Sequence, residues 1–135
     1  MILPAKTHVA VLDGEKFLLM RNAGTATEPK LQMEGKPDIR ETNYSAGIRH
    51  QDGSPPDSRL DDLEELAHAA GVAEWINQKV LKHEISKLVV IADPGSLGEL
   101  RHHWHKETEK VIVAEMAKDL VNSPANDILK AIEAA

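Results

Sequence analysis

Lys87-Leu88-Val89-Val90-Ile91-Ala92, followed at once by Asp93-Pro94-Gly95-Ser96-Leu97-Gly98, is the stretch that decides the fold. An unbroken apolar run of this length is a strand rather than a helix, and the absence of alternation is what a strand covered on both faces requires. Asp93-Pro94-Gly95 then ends that strand and starts a helix. A doubly covered strand feeding a helix is the unit of an α/β sheet, and the run is expected in the middle of that sheet.

Working upstream, Asp57 or Ser58 can cap a long helix whose first turns carry Asp61, Asp62, Glu64 and Glu65, where negative charge favours the dipole. Its apolar face runs Leu63, Leu66, Ala67, Ala70, Ala73, Ile76 or Asn77, Val80 and Leu81, with Gly71 as the place for a kink. Further upstream, Val9–Leu12 and Phe17–Met20 flank Asp13-Gly14, a hairpin signal. After Asn22-Ala23-Gly24, the alternating Lys30–Glu34 reads as a third strand. Downstream, Leu97, Leu100, Trp104 and Thr108 are expected on one face of a second helix. Lys110–Ala114 is expected as a fifth strand and Pro124–Ala135 as a last helix with Ile128, Leu129 and Ile132 inward. The result is one α/β domain over residues 1–135 with a mixed five-stranded sheet: an antiparallel N-terminal hairpin plus third strand, then a parallel βαβ-type half with right-handed crossovers, and about three helices.

Residues 35–58 break this pattern. They hold three glycines, three prolines and little apolar surface beyond Ile39, Tyr44 and Ile48. Such a segment cannot offset its own ordering cost by burial, so a long mobile loop with Arg40, Arg49, His50, Gly47 and Gly53 near a basic tip is expected.

The chain has 135 residues, 41% hydrophobic and 28% charged, enough for one core. With 16 Lys+Arg against 22 Asp+Glu the net charge is -6, so any contact with a phosphate backbone has to be local. There is no cysteine, which removes disulfides and thiolate chemistry, and aromatic residues are only 3%, too few for base-stacking platforms. The N-terminus does not read as a secretory signal and no apolar run approaches a membrane span, so the expected location is cytoplasmic.

The densest polar cluster is Arg101-His102-His103-Trp104-His105-Lys106-Glu107. On one continuous helix, His103 and Glu107 share a face, as do His102 and His105, which is the spacing of paired metal ligands. No third ligand and no HExxH accompany them, so a solvated polar face is expected and no metal or cofactor. The turn at Asp93–Gly98 presents helix-start amides beside an interior strand, where anions bind, but GxxxxGK[ST] is absent and a capped turn is the plainer expectation, with Gly95 and Gly98 allowing close packing. There is no GxSxG, and the carboxylate pairs read as helix-start charge, so no catalytic residue is assigned.

Several segments taken together have a further meaning. Val11-Leu12-Asp13-Gly14 through Phe17, Arg21-Asn22 and Gly24, then Leu88–Ala92 with Leu97-Gly98-Glu99-Leu100-Arg101, and Val113-Ala114-Glu115 with Lys118-Asp119-Leu120, resemble the bacterial "protein required for attachment to host cells" (host-attachment) family. That family is similar to the middle domain of archaeo-eukaryotic peptide-release factors, an α/β fold with a long loop that carries a Gly-Gly-Gln tripeptide. No Gly-Gly-Gln occurs in this chain, and Ser45-Ala46-Gly47-Ile48-Arg49-His50-Gln51 holds the comparable place.

The resemblance implies a non-enzymatic cytoplasmic binding protein with an indirect role in host attachment. Its alternative is a translation-associated, release-factor-like or ribosome-rescue-like factor that binds ribosome or tRNA. The partner-binding candidates are Tyr44, Gly47, Arg49 and His50 in the loop, and Arg101, His102, His105 and Lys106 on the helix face. The partner is a protein of unknown kind or the ribosome and tRNA.

Overall fold

A computed structural model describes residues 1–39 and 57–135. Five strands, β1 (His8–Leu12), β2 (Phe17–Asn22), β3 (Leu31–Gly35), β4 (Leu88–Ala92) and β5 (Ile112–Ala117), form one sheet in the order β3-β2-β1-β4-β5. The β1–β2 and β2–β3 pairs are antiparallel, and β1–β4 and β4–β5 are parallel. This is the mixed sheet expected from the sequence. Four helices accompany it among the described residues: α1 (Asp57–Leu81), α2 (Pro94–His103), α3 (Lys106–Val111) and α4 (Ala125–Ala134).

The two faces of the sheet carry separate cores. Ala10, Leu12, Leu19, Leu88 and Val90 pack with Val72, Ala73 and Ile76 of α1 and with Leu97 and Leu100 of α2. Val9, Val11, Met20, Val89 and Ile91 pack on the opposite side with Leu3 and with Ile128 and Ile132 of α4. Every residue of β4 is buried, as its unbroken apolar run requires. The central strand, however, is β1, and β4 lies one place off centre. A run covered on both faces marks an interior strand, and Val9–Leu12 are buried just as completely.

Several local expectations shift. Asp57 is the first residue of α1, so Asp57 and Ser58 stand inside the helix rather than ahead of it, and the helix runs unbroken through Gly71. It closes on a left-handed residue, His83 (φ 61°), with the Glu84 amide donating to the Lys79 carbonyl at 2.9 Å. The second expected helix divides at Trp104–His105, so Thr108 belongs to α3, and β5 starts at Ile112 instead of Lys110.

The divide has one organiser. Buried Asn77 donates from Nδ2 to the His103 carbonyl (2.9 Å), and its Oδ1 accepts from the His105 amide (3.1 Å) and the Thr108 hydroxyl (2.6 Å). These bonds satisfy one helix end and the next helix start together, which a continuous helix would not allow. Between β1 and β2, Asp13 Oδ1 accepts from the Glu15 and Lys16 amides (2.8 and 2.6 Å), fixing the hairpin turn.

Candidate functional site

The expected site residues fall in two places. Tyr44, Gly47, Arg49 and His50 lie outside the described residues, as does most of the loop expected over 35–58, of which Gly35 ends β3 and Asp57 and Ser58 open α1. Arg101, His102, His105 and Lys106 are exposed but do not form one helix face: the first two end α2, His105 precedes α3 and Lys106 opens it.

The paired-ligand geometry therefore does not arise. His103 and Glu107 sit on different helices, as do His102 and His105. His103 Nε2 instead lies 2.9 Å from Glu99 Oε1, one turn back on its own helix. Arg101 is bridged to Glu115 at 3.3 Å and Lys110 to Glu107 at 3.0 Å, so carboxylates from the same surface counter part of the basic charge. Among the described residues no three His, Asp or Glu side chains gather as a metal site would need.

The α2 start is capped from within. Asp93 Oδ2 accepts from the Ser96 amide at 3.1 Å, which places a carboxylate where an external anion would bind. Gly98 has open space where a Cβ would stand, so close packing is not its role.

A chamber that the sequence reading missed lies on the α1 side of the sheet. Helix α1 covers the core residues of β1 and β4 and leaves part of β2 and β3 open, forming an open-sided pocket of about 580 Å³. A bulge shapes its wall: Leu19 pairs with Gly35 and the next residue, Met20, with Met33, so Glu34 is the extra residue of β3. Glu34 Oε1 lies 2.9 Å from Arg21 Nε, an ion pair without the alignment of a hydrogen bond, and 3.8 Å from His8 Nε2. Burial is the main cause that lowers the His8 pKa from its ordinary 6.5; Glu34 opposes the shift and Arg21 adds to it.

Across the chamber Trp75, half-buried, meets Phe17 edge to face at 5.5 Å. Lys79 Nζ stands 5.2 Å from the centre of the indole and 3.2 Å from Glu84, which the turn at His83 brings back toward the helix. Leu19, Pro37 and Ile85 supply apolar lining, and Lys36 completes the rim. The residues come from five separate stretches of chain, so no spacing rule joins them. The only local signal was Gly35 at the end of an alternating run, a place where strands bulge.

Fold and chamber define a small α/β domain in which a polar segment joins an edge strand to the longest helix. The chain belongs to bacterial archaeo-eukaryotic release factor family 12, whose model matches residues 6–132. This supports the release-factor side of the resemblance noted above; the matching family does not carry the host-attachment name. No curated protein matches the chain. No helix among the described residues is long and apolar enough to cross a membrane.

Proposed function

We propose that this chain is a translation-associated factor that binds ribosomal or transfer RNA and does not release peptides by a Gly-Gly-Gln mechanism. The observation that carries the reading is the release-factor family match over residues 6–132 in a chain with no Gly-Gly-Gln. Arg40 and Arg49, in the segment between β3 and α1, together with Arg59, Arg101 and Lys106, supply cations for phosphate contacts. Tyr44 is a stacking side chain in the same segment, which also holds Gly47 and His50. A net charge of -6 keeps such contacts local and makes them sensitive to salt. The attachment role implied by the resemblance draws no support from the family match.

Co-sedimentation with ribosomes tests the reading. The protein is expected in the ribosomal pellet at low salt and in the supernatant as salt rises, with Arg49→Glu lowering the pelleted fraction. Protein that stays in the supernatant even at low salt overturns it.

A further inference from the structure

We infer that the chamber between β2, β3 and α1 is a binding site for one nucleotide unit, a base with its phosphate. Its volume of about 580 Å³ falls among small-molecule sites, which span about 300–1,000 Å³. Two kinds of recognition meet in it. Trp75 offers a flat aromatic ring beside the apolar Leu19 and Ile85, and the rim carries more cations than carboxylates. Glu34 counters Arg21 and Glu84 counters Lys79, whereas Lys36 has no ion-pair partner among the described residues. An aromatic wall with one unmatched cation suits a flat, anionic ligand. Inorganic phosphate alone would leave the indole unused, and an uncharged nucleoside would leave Lys36 unmatched.

The existing contacts allow the exchange. Lys79 stands over the indole and is held by Glu84, whose side chain is 53% exposed, so that pair is weak and yields readily to a phosphate. When Lys79 turns to the phosphate, the ring face is free for the base. Lys36 and the terminal nitrogens of Arg21 complete the anion contacts, and Glu34 and Glu84 accept from sugar hydroxyls or base amino groups.

The inference stands on the chamber and does not depend on the translation reading. Titration of the full chain with adenosine 5′-monophosphate, followed by calorimetry and by tryptophan emission, tests it. Saturable binding with quenching is expected, at least tenfold tighter than for adenosine or inorganic phosphate. Lys36→Glu, an exposed substitution that leaves the core untouched, is expected to weaken binding at least tenfold with unchanged thermal stability. Trp75→Phe is expected to keep binding and lose most of the quenching, which separates Trp75 from Trp104. Absence of binding at millimolar nucleotide, or binding that Lys36→Glu leaves unchanged, overturns the inference. A short single-stranded RNA separates the sources: competition with the mononucleotide assigns the site to RNA, and no competition assigns it to free nucleotide. Ribosome pelleting that survives Lys36→Glu while nucleotide binding is absent sinks the chamber and leaves the translation reading intact.

Discussion

Thr108 donates its hydroxyl to Asn77 Oδ1 at 2.6 Å, a bond between two buried side chains 31 residues apart. With the His103 carbonyl and the His105 amide also bound to Asn77, this side chain decides that residues 94–111 form two helices. It also moves the basic residues of that stretch off a common face.

Asn77→Ala strands three buried or half-buried polar groups at once. A buried group left without its partner costs about 1–3 kcal/mol, so a loss of about 3 kcal/mol or more is expected from urea unfolding midpoints. Thr108→Val, which leaves the other two bonds in place, is expected to cost less than half as much. Equal losses in the two variants would show that the backbone bonds to Asn77 contribute little.

His8 links stability to pH. Its folded-state pKa lies below the ordinary 6.5, so the folded protein binds the proton less readily than the unfolded chain. The stability this contributes is complete above about 6.5 and falls as pH drops through the window between 6.5 and the lowered value. His8→Gln is expected to flatten that part of the curve when denaturation midpoints are compared from pH 8 to pH 5. A wild-type slope that persists in the variant assigns the effect to another group.

Two glycines separate backbone need from mere tolerance. A Cβ at Gly24 would run into the Glu28 carbonyl oxygen, and backbone cannot give way as a flexible side chain does. Gly24→Ala is expected to unfold the β2–β3 connection or to lower the melting temperature sharply. Gly98 lies within α2 with nothing within 4 Å of the added carbon. Gly98→Ala is expected to raise stability by about 0.5–1 kcal/mol, read by thermal melting, because alanine loses less backbone entropy in a helix.

Removing the Asp93 cap leaves the Ser96 amide without its acceptor. Asp93→Ala is expected to cost about 1 kcal/mol in chemical denaturation, and Asp93→Ser, which keeps a capping oxygen, a smaller amount. Full stability in Asp93→Ala would show that solvent replaces the carboxylate without loss.

The sequence by itself determined what neighbours along the chain can encode. The unbroken Leu88–Ala92 run specified an interior strand, Asp13-Gly14 specified the hairpin, and Asp93-Pro94 specified the start of α2; each rests on burial or hydrogen bonds within a few residues. Tertiary structure decided the rest. Helical periodicity carried the second helix through Trp104 to Thr108, because nothing within that stretch reveals that Asn77 will take up its backbone groups. The order of the interior strands was likewise open, since Val9–Leu12 and Leu88–Ala92 are equally buried and only pairing distinguishes them. The chamber was invisible for the same reason. His8, Arg21, Glu34, Trp75, Lys79 and Glu84 lie up to 76 positions apart, and only the β3 bulge, the course of α1 over the sheet and the turn at His83 bring their charges within reach of one another.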